Sequence, residues 1–439
     1  MKLVAQLEDL LYQFQQAPKT ENLRLSAWRI LVNDSEAVSV GIKDNSPGSV
    51  YTPPSYRQGE SGEVFLVWAD GTCSQAMVQL PALNDPEYWH KELEQWRQAS
   101  YEDPDASHIP TPEPLPLVAV EDRAIRTIIS GDDEILFDQA KRWLTDRPAQ
   151  AKMQGSIQAA WGYRHVRTST GLAVTYQQSQ FVSWFSFDSL IGGGFAKRRL
   201  IQPEEQEALW SLTVSRYEAM QKEAPPIGPQ TKVILAPSMT EEMLGQFILP
   251  NFSGDKVIEG QGAFAKENFL DHTLVFHPQF SLTIDPLRPL ELGSYLVTAE
   301  GVPADRTVLV RDGQLQTPFL RVKDAVRWGA KPTALPHGTA GLYLKHQAEV
   351  PWVDALQGVE DGVLVLSVLG LHTQEAVSGS YSLSAPHCIR ILKGQIVGRT
   401  DVKLTGNFFA DMLASTTKTA RSDFDTHPYL FIKTGVQTL

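Results

Sequence analysis

The spacing of apolar positions changes along the chain, and each change predicts an element. Leu3, Val4, Leu7, Leu10, Leu11 and Phe14 fall on one helical face, so an amphipathic helix is expected before Pro18. Residues 23–32 and 37–42 read as strands, and 46–62 as a turn-rich excursion with three prolines and three glycines. Runs 64–68 and 76–80 flank Asp70-Gly71 and predict a hairpin. A charged, aromatic helix is expected over 88–101. Residues 104–116 hold five prolines, which suit neither helix nor sheet, so this stretch reads as an internal linker or extended surface arm.

Residues 132–144 predict a helix whose acidic start favours the helix dipole. Residues 156–187 predict sheet, with Leu172, Val174 and Tyr176 alternating after a turn at Gly171. A helix opened by Glu204 and Glu205 is expected over 203–222. It runs into the proline cluster at 224–229, taken as a domain boundary.

Beyond that boundary the elements shorten. Residues 232–236 predict a strand and 238–244 a helix capped at Ser238, with Glu241 or Glu242 in its first turn. Short strands are expected at 282–284, 295–297, 307–310 and 315–319, the last two joined by a tight turn at Asp312-Gly313. A helix over 322–328 interrupts them. The centre of this half is 362–407: a buried strand at 363–369, a polar loop at 371–386, and a hairpin turning at Lys393-Gly394. A loop of that length inside a compact sheet points to binding or contact.

The pattern as a whole predicts an α+β protein of two domains. The first, 1–228, mixes helices and sheet; the second, 229–439, is mostly antiparallel β with a few short helices. A chain of 439 residues exceeds what one hydrophobic core ordinarily serves, which agrees with that division.

Composition narrows the function classes. Cys73 and Cys388 are the only cysteines, too few for a disulfide framework or a cysteine-rich zinc module. Neither a signal peptide nor a membrane span is indicated, so a cytoplasmic location is expected. A net charge of −12 disfavours nonspecific binding to nucleic acid. The densest basic group, Lys197-Arg198-Arg199, reads as a solvated loop.

Candidate chemistry is sparse. Gly192-Gly193-Gly194 lacks the spacing and the following Lys-Ser/Thr of a phosphate loop, and no Gly-x-Ser-x-Gly elbow occurs. No His-Glu dipeptide exists to begin a zinc-protease helix. His272 and His277 read as ordinary histidines, and Cys388 as a small buried core residue. In the loop, His372 and Glu375, with His387 near its exit, are metal candidates only if the chain folds them together.

Certain stretches in the second half carry a resemblance. They are 299–306 (AEGVPADR), 308–315 (VLVRDGQL), 380–385 (SYSLSA), 391–396 (ILKGQI) and Thr405-Gly406-Asn407. In this order and spacing they resemble the TldD/PmbA family of metallopeptidase-related proteins, also labelled modulators of DNA gyrase. The resemblance covers 232 to about 413, and Ala299 stands where the family usually has an acid.

The resemblance implies two types. The TldD type carries His-Glu-x-x-x-His and is the catalytic subunit of a heteromeric protease acting on peptides or unfolded chains. The PmbA/TldE type lacks the motif and helps enclose the chamber. The corresponding stretch here, 249–264 after the 239–247 helix, offers neither the histidines nor the Glu base, which sides with PmbA/TldE. The expectation is a metal-free, cofactor-free partner of a TldD-type subunit, or a homodimer, that contacts peptide and neither membrane nor nucleic acid. His372, Glu375, Ser378, Tyr381 and Ser382 are the candidate contact residues, with backbone groups of 378–385 available for strand addition. Two alternatives are a stand-alone metallopeptidase using His372, Glu375 and His387, and a homodimeric scaffold that kept only the fold.

Overall fold

A computed structural model describes residues 2–17, 22–48, 55–79, 85–228, 230–422 and 424–439. The first half opens with α1 (Lys2–Gln16), β1 (Leu25–Lys43), β2 (Ser46–Pro47), β3 (Ser55–Trp68) and β4 (Cys73–Gln79). Three helices follow: α2 (Pro86–Gln98), α3 (Arg123–Ile129) and α4 (Glu134–Asp146). Then come β5 (Met153–Thr168), β6 (Ala173–Phe187), β7 (Ile191–Lys197) and α5 (Pro203–Met220). The strands form one antiparallel sheet in the order β4-β3-β1-β5-β6-β7, with β2 paired to β1.

Even-numbered residues of β1 face this half's helices. Trp28, Ile30 and Val32 pack with α1 and α2, while Val38, Val40 and Ile42 pack with α3 and α4. Fully burying one such side chain stabilises by about 1.5–3 kcal/mol. Odd-numbered Arg29 and Asn33 lie on the opposite face, where Arg29 pairs with Glu300 of the second half.

The second half begins with β8 (Lys232–Leu235), α6 (Pro237–Phe247), α7 (Gly254–Ile258), α8 (Lys266–Leu270) and β9 (Phe280–Ile284). It continues with β10 (Thr307–Arg311), β11 (Gln314–Leu315), α9 (Val322–Trp328), β12 (Leu342–His346), β13 (Val350–Pro351) and α10 (Trp352–Gln357). It closes with β14 (Asp361–Val365), β15 (Ser380–Leu392), β16 (Gln395–Asn407), α11 (Phe408–Leu413), β17 (Lys418–Arg421), β18 (Tyr429–Ile432) and β19 (Gly435–Thr438). The larger sheet runs β13-β17-β18-β8-β14-β15-β16-β19, antiparallel except for the β8–β14 and β13–β17 pairs; the smaller runs β11-β10-β9-β12. The fold is therefore mixed α+β with mostly antiparallel sheets, as the pattern predicted. No helix among the described residues is long and apolar enough to cross a membrane.

Besides the small cluster of Val166, Leu172 and Val297, a large apolar cluster crosses the 228/229 position. It joins Val38, Ile157, Phe185 and Tyr217 of the first half to Ile234, Leu364, Ile389 and Phe431 of the second. A second cluster, built around α6, β9 and β14–β16, belongs to the second half alone.

Several local expectations need correction. The two strands predicted over 23–42 are one, because β3 and β5 pair with β1 on both sides and carry it through the polar run Asn33–Glu36. Of the excursion over 46–62, residues 49–54 lie outside the described residues, but 55–62 are ladder-bonded strand. Residues 295–297 form only one bridge, Val297 to Pro303, and β11 is two residues long. The strand expected over 363–369 begins earlier and ends at Val365. Ala236, rather than Ser238, caps α6, with Pro237 in its first turn, where a missing N–H costs nothing. The three basic residues at 197–199 are not solvated. Lys197 pairs with Glu291 at 2.8 Å, Arg199 grips Glu205 through both terminal nitrogens, and Arg198 turns inward. The adjoining glycines belong to β7, and a Cβ at Gly193 would sit 2.6 Å from Thr213 Oγ1 of α5. Close helix-on-strand packing explains that glycine.

Candidate functional site

The loop between β14 and β15 runs from 366 to 379, shorter than the sequence suggested, because Ser380 already starts β15. It is docked on the corner that follows α6. Gln246 Nε2 donates to Gln374 O at 2.8 Å, and Asn251 Nδ2 donates to Ala376 O at 2.8 Å and Phe247 O at 2.9 Å. Asn251 Oδ1 in turn accepts from Ala263 N–H at 2.7 Å, so the fully buried Asn251 ties three segments together.

Within the loop, polar groups are satisfied locally. Glu375 accepts from the amides of Val377 (2.9 Å) and Ser378 (2.6 Å), and these bonds to Ser378 and Val377 hold its carboxyl below the usual range. Asn407 Nδ2 donates to Ser378 O at 2.6 Å and Phe408 N–H to Gly379 O at 2.8 Å, fixing the exit of the loop to the start of α11. Two apolar side chains of the loop are exposed, Leu369 at 64% and Val377 at 42%, whereas Leu371 is buried in the core of the second half.

The structure separates the sequence-predicted contact residues. His372, in a single 3-10 turn, and Ser378 and Ser382 are exposed, as is Glu375. Tyr381, by contrast, is turned into the core. Its phenol is buried and donates to Asp411 Oδ2 at 2.6 Å, with Thr434 Oγ1 at 2.8 Å. Burial pushes the Asp411 carboxyl up to about 6, opposed by the bond from Tyr381. Strand addition over 378–385 meets an edge already in use: Ser382 N–H donates to Gln374 Oε1 (2.9 Å) and Ser384 O accepts from Leu369 N–H (2.7 Å).

The proposed metal set does not converge either. His387 sits in the bulge between Ala385 and Cys388, with positive φ and its amide on Asp401. It lies five residues along an extended strand from Ser382, about 17 Å at strand rise. Cys388 is a buried core residue, as expected, and burial raises its thiol far above the ordinary range.

Two clefts were not visible in the sequence. One, of about 600 Å³, is lined by charges of both signs, among them Asp285, Arg288, Glu291, Arg306 and Glu349. The other, of about 390 Å³, lies between β7, α5 and the start of α6 and brings Glu241 to His427. The His427 ring is buried, which lowers its pKa against the attraction of Glu241. These two residues are far apart in sequence and no short motif links them.

Residues 228–436 match the family described as the PmbA/TldA metallopeptidase C-terminal domain. The C-terminal half of this chain belongs to the PmbA/TldD family. Over nearly the whole chain the fold is that of TldE from Thermococcus kodakarensis, with a TM-score of 0.80 and 16% identity, covering 99% of this chain and 100% of the other. A metalloprotease of Methanothermobacter thermautotrophicus is 26% identical over 49% of this chain and 48% of its own length. An uncharacterised protein of Methanocaldococcus jannaschii is 21% identical over 58% of this chain and 62% of its own length. The chain thus matches between about half and three fifths of these relatives.

The matched family is described as metallopeptidase and so implies a metal; the described residues offer no set that fits one. Among the described residues no group of three or more His, Cys, Asp or Glu side chains is placed to hold a metal ion. The sequence has no histidine between His165 and His272. At the end of α6 and the corner after it, the neutral amides of Gln246 and Asn251 are both engaged in holding the loop.

Proposed function

We propose that this chain is a PmbA/TldE-like partner subunit: it docks on a TldD-type metalloprotease and forms part of the wall of its peptide-binding chamber. The observation that carries the reading is the 366–379 loop. The backbone carbonyls of Gln374 and Ala376 are tied down by Gln246 and Asn251, while Leu369 and Val377 are exposed beside the exposed His372, Glu375 and Ser378, an arrangement suited to a protein contact. The TldE fold and the unsuitable donor set around α6 support the same reading.

The test mixes the purified chain with a TldD-type protein from the same cell and measures molar mass by light scattering, then hydrolysis of an unstructured peptide. Expected are a mixed complex, no hydrolysis by this chain alone, and weakened association when Leu369 and Val377 are both changed to Asp. A chain whose molar mass is unchanged by that protein, or that hydrolyses peptide alone, overturns the reading.

A further inference from the structure

A third cavity, of about 230 Å³, lies where β5 and β6 meet the 292–299 and 335–337 segments of the second half. Arg164 and Tyr176, direct cross-strand partners, share it with Arg198, which follows β7. Arg198 donates Nε to Ser294 O at 2.9 Å and Nη1 to Ser179 O at 3.3 Å; Arg164 donates Nη1 to Asn33 Oδ1 at 3.3 Å. Every one of these acceptors is neutral. Neither guanidinium has a carboxylate partner among the described residues, and no Asp or Glu lines the cavity. Nε of Arg164 is shielded from solvent and has no acceptor at all.

Two like charges therefore share a recess without a counter-ion, in a chain whose net charge is −12. Burial, with Arg164 adding to it against Tyr176, brings Arg198 down to about 10. His337, at the rim, is lowered by burial and by Arg198 and Arg164, as a locally positive field requires. An uncompensated buried charge is costly, and a bound anion removes that cost.

We infer that this cavity binds the α-carboxylate of an amino acid or of a peptide's C-terminal residue. Paired guanidiniums match a planar carboxylate. Gln178 lies two residues from Tyr176 on the same strand face and offers an amide to the ligand's own amide group. Val297 and Leu335 give an apolar wall that a side chain would cover and inorganic phosphate would not. The volume, at about 30 Å³ per water, holds about eight waters, which suits one residue and is small for a nucleotide. The inference does not depend on the partner proposal, since the cavity is lined by this chain alone.

Calorimetric titration of the full chain decides it, with N-acetyl-leucine, its primary amide, a short leucine-ending peptide in acid and amide forms, and inorganic phosphate. Saturable binding of the acids, at least tenfold weaker binding of both amides, and a tenfold loss in Arg198→Gln are expected. A peptide acid that outbinds N-acetyl-leucine identifies a longer chain terminus as the ligand; equal affinity confines recognition to a single acylated residue. Should Arg198→Gln fail to fold, the acid-against-amide contrast on the unaltered chain carries the test. Absence of saturation, equal binding of acid and amide, or tighter binding of phosphate than of either acid overturns the inference.

Discussion

Asp411 and Tyr381 show what one buried pair does to the pH response. The folded carboxyl keeps its proton up to about 6, while an unfolded Asp releases it near 3.8. Between these values the native state binds more protons, so the contribution of this group to stability falls as pH rises through the window and stays flat above it. Asp411→Asn removes that titration. Its unfolding free energy in urea, measured against the unaltered chain, is expected to gain between pH 4 and 6 and level off at higher pH, by no more than about 3 kcal/mol. Tyr381→Phe does the opposite, leaving a buried carboxylate without its donor, and is expected to cost about 2–3 kcal/mol in urea unfolding at pH 7. The thiols give a separate check. Burial raises Cys73 to about 11 and Cys388 further, so neither is expected to react with a thiol reagent at pH 8 until the chain is denatured.

At the scale of elements, what was legible in the sequence is what short-range chemistry decides. The turns at Asp312-Gly313 and Lys393-Gly394 both have positive φ at two successive residues, and both stand out as residue pairs between apolar runs. Helix α9 coincides with its predicted span. The continuity of β1 was not legible, because the bonds that hold Asn33–Glu36 extended come from strands remote in sequence. The loop boundary is legible too: Tyr381, Leu383 and Ala385 alternate with serines at strand period, which places Ser380 in a strand and Tyr381 inside. The docking of the loop depends on residues about 125 positions away, Asn251 with Ala376, and no local pattern announces it. Asn251→Ala is expected to cost about 3 kcal/mol and to raise amide hydrogen exchange selectively over 370–379. Protection there equal to that of the unaltered chain would show that the loop holds its place by other contacts. Gly193→Val, which drives a side chain into Thr213 and Leu209, is expected to lower stability by about 2–3 kcal/mol through the α5–β7 contact.

For the whole molecule, composition and pattern gave the class, the resemblance gave the family, and neither gave the cavities. Arg164 and Arg198 share a cavity only because β5–β7 lie side by side beneath the 292–299 segment, and nothing in the basic run at 197–199 points to an arginine 34 positions earlier. The large apolar cluster that crosses 228/229 has a consequence for inheritance. The family match begins at 228, yet a fragment cut there would leave Ile234, Leu364, Ile389 and Phe431 facing water. Recognisable ancestry and independent folding therefore have different borders in this chain. Its first half can diverge in outward sequence, but the side chains that meet β8, β14 and β18 must change in step with them. A gene fusion that exchanges only one half is expected to yield insoluble protein, unless those matching side chains are carried across with it.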